Sequence, residues 1–268
     1  MQALLGKWLA AFLNAERHVH SASPPTNPTL LKQILHPGDV LLIEGYSRIS
    51  TAIKYLTQST WSHAALYVGD HPNLPPNSPR PHAFIEADLL AGVRVTGIAN
   101  YSQYHSRICR PIGLTEADQQ ALLAYAVSRI GHRYDVKNVI DLVRYLLPTP
   151  PVPTSWRRKM IAFGSGDPTR AICSTLIAQA FQTIKYPVLP LVTTVAAATP
   201  TCLDCLKEVL RIRHHSLFVP RDFDVSPYFK IVKPSLEGTF DHRLLEWSDL
   251  PEEAKPNLTA ITEEVLSS

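Results

Sequence analysis

The chain has 268 residues, 45% of them apolar and 18% charged, with a net charge of +3. A chain of that size and composition can bury a sizeable globular core, which excludes a disordered or fibrous protein. The small net charge, without a long basic run or a basic–aromatic stripe, argues against nucleic acid as a partner. Four cysteines are too few for a disulfide framework in so long a chain.

Residues 1–20 carry an apolar stripe at Leu4, Leu5, Trp8, Leu9, Phe12 and Leu13. The segment is too short to cross a bilayer and lacks the charged start and small-x-small site of a secretory signal. The expectation is an amphipathic helix docked on the body, with peripheral membrane contact through residues 1–20 as the other reading. The implied location is cytoplasmic, with or without that surface contact. Residues 21–28, rich in Ser, Pro and Asn, read as a linker, so 1–28 is a helix-plus-linker segment ahead of a main domain over 29–236. Residues 237–268 are polar and read as a tail.

The main domain begins with a turn at His36-Pro37-Gly38-Asp39 and the apolar strand Val40-Leu41-Leu42-Ile43-Glu44. Ile49, Ala52, Ile53 and Leu56 lie at helical spacing within 47–58. A strand follows from Trp61-Ser62-His63 through Val68 to the Gly69-Asp70 turn. After a Pro-rich loop come Ala83-Phe84-Ile85-Glu86-Ala87 and, past Ala91-Gly92, Val93-Arg94-Val95-Thr96. Three short strands joined by turns predict an antiparallel meander. Thr115-Glu116-Ala117-Asp118 resembles a capping box, and Leu122, Leu123, Ala126, Val127 and Ile130 line one helix face up to Gly131. A further helix is expected over 134–147, ended by the prolines of 148–153. Leu176, Ile177, Ala180, Phe181 and Ile184 predict a buried-face helix with Ser174 or Thr175 as its cap, which puts Cys173 at its N-terminal end. Residues 188–210 are apolar without a clear period. The remainder reads as loop ending in a strand over 229–232.

Three residues invite chemistry. A thiol at a helix N-terminus meets the positive end of the macrodipole, which favours the nucleophilic thiolate, so Cys173 is the candidate nucleophile. His63 opens an apolar strand, and Glu86 lies inside the next one, where a carboxylate is costly to bury unless paired. If those strands pair, Glu86 can fix the imidazole tautomer and His63 can take the proton from Cys173. Cys202-Leu203-Asp204-Cys205 has metal or redox spacing without a second ligand pair, and His214 and His215 are adjacent, so no metal or other cofactor is expected.

The block Pro37-Gly38-Asp39-Val40-Leu41-Leu42 with Trp61-Ser62-His63-Ala64-Ala65-Leu66-Tyr67-Val68-Gly69 resembles the circularly permuted NlpC-type papain-like cysteine hydrolases, the YiiX/YebB-like group. So do Glu86-Ala87 with Gly92-Val93, Gly131 with Tyr134-Asp135, Ile172-Cys173-Ser174-Thr175-Leu176-Ile177, and the late segment from Arg213 through Pro220-Arg221-Asp222-Phe223-Asp224 to Phe229. In that group the His strand precedes the Cys helix, as His63 precedes Cys173 here. The resemblance implies an α+β papain-like fold, a small antiparallel sheet or barrel against helices. It also implies hydrolysis of an amide or ester in a small-molecule, peptide or lipid substrate through a thioester, with Cys173 as nucleophile, His63 as base and Glu86 orienting the ring. An oxyanion hole would add the Cys173 backbone N–H and a second donor, Tyr46 or Ser62, with Tyr134 a further candidate for substrate binding. The alternatives are a lipid-directed acyltransferase or lipase of the lecithin:retinol acyltransferase type, and an idle binding module that retains the fold.

Overall fold

A computed structural model describes residues 25–88, 91–132, 172–196 and 206–233. The amphipathic segment expected over 1–20, the helix expected over 134–147 and the tail over 237–268 all lie outside the described residues.

The sheet is built outward from the most apolar strand, β1 (Val40–Ile43), whose four residues are all buried. A strand apolar on both sides belongs in the middle of a covered sheet. β1 pairs with β2 (His63–Gly69) on one side and β5 (Ser106–Pro111) on the other. β3 (Ala83–Asp88), β4 (Gly92–Gly97) and β8 (Phe229–Val232) complete a six-stranded sheet of order β4-β3-β2-β1-β5-β8. Every pairing in it is antiparallel, and the expected meander is β2-β3-β4. Gly92, at φ +75, turns the chain from β3 into β4 in a backbone region that side chains disfavour.

Helices cover both faces. Asn27 accepts from the Thr29 N–H and Pro28 fills the first turn, so the supposed linker runs into a helix, α1 (Pro28–Ile34). Leu31 of α1 packs with Leu41, Ala65, Phe84 and Tyr101 on one face. The other face, with Leu42, Ala64, Leu66, Ile85 and Ala87, is covered by α3 (Glu116–Ser128) and α4 (Ile172–Thr183). Thr115 and Asp118 form the predicted capping box of α3. α2 (Arg48–Thr57) is capped by Ser47 and closed by Gln58 in the left-handed conformation.

Ser174 and Thr175 are buried inside α4 and do not cap it. The helix runs further toward the N-terminus than its apolar spacing indicates, because Cys173 and Ser174 also turn inward. The aperiodic stretch from 188 holds a separate two-stranded ribbon, β6 (Leu191–Ala196) and β7 (Leu206–Arg211). Leu191, Val192 and Leu210 are exposed on it, so neither strand shows the alternation of a half-buried sheet. The segment read as loop before the last strand contains α5 (Pro220–Asp224), which starts with proline and buries Phe223. No helix among the described residues is long and apolar enough to cross a membrane.

Candidate active site

The register of the central strands decides where the polar residues go. Ile43 of β1 lies opposite both His63 and Ser106, so the starts of β2 and β5 share one end of the sheet. Along β3, Ile85 and Ala87 face the α4 side, while Phe84 packs on the other side. Alternation therefore turns Glu86 to the face of Phe84 and Tyr101. There it accepts from the His63 ring, Nε2 to Oε2 at 2.7 Å. The pairing expected of the two strands is present.

Glu86 is 4% exposed and fully coordinated. Besides His63, its Oε2 accepts from the Tyr101 hydroxyl at 2.8 Å, and Tyr101 is itself hydrogen-bonded to Thr96 at 2.7 Å. The other oxygen accepts from Arg94, Nε at 2.9 Å and a terminal nitrogen at 2.8 Å. Burial opposes a charged carboxylate, but His63, Tyr101 and Arg94 outweigh it and hold Glu86 down at about 2. Arg94 and Tyr101 had no place among the sequence candidates. Arg94 was legible, since a tight β3–β4 connection sets it directly opposite Glu86. Tyr101 stands in a turn after β4, and nothing in the residue pattern aims it back at β3.

Cys173 sits in the first turn of α4 as described, 5% exposed. Its sulfur meets the His63 side chain, the Ala64 backbone N–H and the Ser174 hydroxyl, the last at 3.9 Å. Burial alone would raise this thiol, yet the His63 cation and these hydrogen bonds bring it below its ordinary value. His63 moves the opposite way. Burial disfavours its cation, but the Cys173 thiolate and Glu86 carboxylate on either side raise it well above 6.5. With Nε2 on Glu86, Nδ1 is the ring nitrogen left for sulfur. Cys109 is the contrast: it is packed in β5, and burial followed by the nearby Asp224 carboxylate pushes its thiol up. The arrangement can therefore hold a thiolate–imidazolium pair with an ionised carboxylate behind it.

The two oxyanion candidates after β1 have different surroundings. Ser62 is buried, its N–H donates to the Ile43 carbonyl at 3.1 Å, and its hydroxyl accepts from the Gly45 N–H at 2.9 Å. The Ser62 groups thus hold the loop after β1. A side chain at Gly45 would run into the Ser50 and Ser62 hydroxyls, so that loop also needs glycine. Tyr46 lies in the same loop, stacked on Tyr104 at 5.6 Å. Tyr134, Cys202 and Cys205 lie outside the described residues. Among the described residues no group of three or more His, Cys, Asp or Glu side chains gathers in a way that could hold a metal.

Comparison with known proteins gives a likeness to one family over part of the chain. Residues 34–145 match the sequence model of the family described as permuted papain-like amidase enzyme, YaeF/YiiX, C92 family. The matched stretch includes His63 and Glu86 and ends before Cys173. No curated protein matches the chain. A similar solved structure is the metalloprotein yiiX from Escherichia coli O157:H7, at 16% identity and a TM-score of 0.43, covering 74% of this chain and 96% of that one. At that distance it bears on nothing beyond the likeness itself.

Proposed function

We propose, from the match of residues 34–145 to the permuted papain-like amidases of the YaeF/YiiX family, that this chain is a cysteine hydrolase that cleaves amide bonds with Cys173, His63 and Glu86 as a catalytic triad. The family likeness supports a cysteine hydrolase; the residues and the intermediate are our assignment. The observation that carries it is the opposed pair of shifts at one point, a buried thiol lowered and a buried imidazole raised. Burial drives both groups the other way, so each must be charged by its neighbour.

In the reaction, the Cys173 thiolate attacks the carbonyl carbon and the carbonyl electron pair moves onto oxygen. The tetrahedral oxyanion is stabilised by the Cys173 backbone N–H, with Tyr46 the remaining candidate for a second donor. His63 gives its proton to the leaving nitrogen, the C–N bond breaks, and an amine departs from the thioester. Water then enters, His63 takes its proton, hydroxide adds to the carbonyl, and the C–S bond breaks to release the acid and restore the pair. Glu86 accepts from Nε2 throughout, which keeps Nδ1 aimed at sulfur and stabilises the imidazolium. The substrate is a small molecule or peptide carrying an amide.

The test is to trap the intermediate. Brief exposure to a reactive acyl donor such as p-nitrophenyl acetate, an acid quench and peptide mass spectrometry should find the acyl group on Cys173. The His63→Ala protein should accumulate it at least about a hundredfold more slowly, the usual contribution of a general base. Acylation elsewhere, or an equal rate in the variant, would refute the triad.

A further inference from the structure

A cavity of about 410 Å³ opens beside the turn that leads into β2, bounded by residues 58–61, Arg107 of β5, and Arg221 and Asp224 of α5. Its chemistry is lopsided. Asp224 is already satisfied, with Oδ2 accepting from the Trp61 indole N–H at 3.0 Å and Oδ1 from Arg107 at 2.7 Å. The Arg107 guanidinium also lies over the Trp61 ring at 4.9 Å. Arg221 donates to the neutral Thr57 carbonyl at 3.2 Å and has no ion pair among the described residues. Asp222, its neighbour in sequence, is engaged by the Val219 N–H and by Arg213, and also feels the Arg221 charge without a salt bridge to it. Ser59 accepts from the Trp61 backbone N–H at 3.1 Å, which leaves its hydroxyl hydrogen to donate. The lining thus holds two cations against one paired carboxylate.

The cavity is set in register with the thiol. Across three adjacent strands the residues Arg107, Leu42 and Ala64 lie side by side, and Ala64 is the residue whose N–H meets the Cys173 sulfur. Leu42 and Ala64 face α4, so Arg107 does too. Two strand spacings separate Arg107 from Ala64, about 10 Å. A single excess positive charge suits a monoanion, and a guanidinium pairs well with a carboxylate. We infer that this cavity is a carboxylate-binding subsite, in which Arg221 holds an acid group of the substrate, on the side of the sheet where Arg107 lies about 10 Å from Ala64 and so near the carbonyl attacked by Cys173. The inference rests on the proposed role of Cys173. It narrows the substrate to an amide bearing a free carboxylate several bonds from the scissile group.

The test uses the thiol as reporter. Cys173 is labelled with 6-maleimidohexanoate, with its neutral amide and with N-ethylmaleimide, in the wild type, in Arg221→Gln and in Lys32→Gln. Lys32 is an exposed residue of α1, on the other side of the sheet, and its loss removes the same charge far from the cavity. We expect the wild type to react with the acid about tenfold faster than with the amide, the worth of one charge-assisted pair. That preference should persist in Lys32→Gln and vanish in Arg221→Gln, while the rate with N-ethylmaleimide stays unchanged. Equal rates for acid and amide in the wild type, or a preference that survives in Arg221→Gln, would overturn the subsite. A Cys173 that reacts with none of the reagents would instead remove the nucleophile reading. The cavity is then judged by the Trp61 indole N–H resonance during titration with hexanoate. A saturable shift in the wild type that is absent from Arg221→Gln supports the subsite, and no shift in the wild type removes it.

Discussion

Glu86 is the residue whose environment says most about this molecule. A carboxylate at 4% exposure survives there because three side chains donate to it. Its depressed value makes the ionised form a source of stability that is fully present above its ordinary 4.5 and lost as pH falls through about 2. Glu86→Gln should therefore flatten the stability profile between those values, read by urea unfolding at a series of pH values. The same change removes one of the two anions that raise His63. The His63 titration, followed by the imidazole proton resonances, should move down toward 6.5, and the basic limb of Cys173 reactivity should move down with it. An unmoved His63 titration would mean that the carboxylate holds the ring only sterically. His63 itself has the opposite linkage. Its raised value gives stability that is complete below 6.5 and is lost as pH rises through the folded value. Sequence reasoning reached His63, Glu86 and Cys173 because each is chemically out of place locally. The Ser62 hydrogen bonds to Ile43 and Gly45 were not legible, since they come only from the fold of the loop.

α4 carries the thiol, and its own anchoring lies about two turns away. Phe181 is fully buried and meets Tyr186 and Phe229 edge-on or tilted at 5.3 and 5.2 Å, with Phe223 at 6.4 Å. Through these rings α4 is clamped to α5 and β8, so the helix position depends on elements late in the chain. Phe181→Ala should cost about 3–5 kcal/mol in urea unfolding, from lost apolar contact plus the cavity left behind. A cost below about 1 kcal/mol would mean that the cluster repacks and does not clamp α4. The elements with strong periodic signals, β1, α2, β2 to β4, α3 and the core of α4, were legible within a few residues. α1 and α5 were not, for they are short and offer only Asn27-Pro28 or Pro220 with Asp222 as signals. The β6–β7 ribbon was illegible because exposed apolar residues on both strands erase the period of two.

At the scale of the whole molecule, the sheet gathers chemistry at one end. The starts of β2 and β5, the loop after β1 and the N-terminal turn of α4 all meet there. This layout lets a chain that presents its histidine strand first and its cysteine helix more than a hundred residues later close a single site. The order of the two blocks made the resemblance to a permuted family readable from the sequence, whereas the Tyr101 support and the arginine cavity depend on the folded arrangement and were not. The central claim is that Cys173 and His63 form an ion pair. Its most direct test is the pH dependence of Cys173 alkylation by iodoacetamide, followed by peptide mass spectrometry in the wild type and in His63→Ala. We predict that the wild-type thiol titrates below its ordinary 9.0, and that without His63 burial takes over and the titration moves to or above that value. A thiol that titrates at its ordinary value in the wild type, or identically in the two proteins, would contradict the pair.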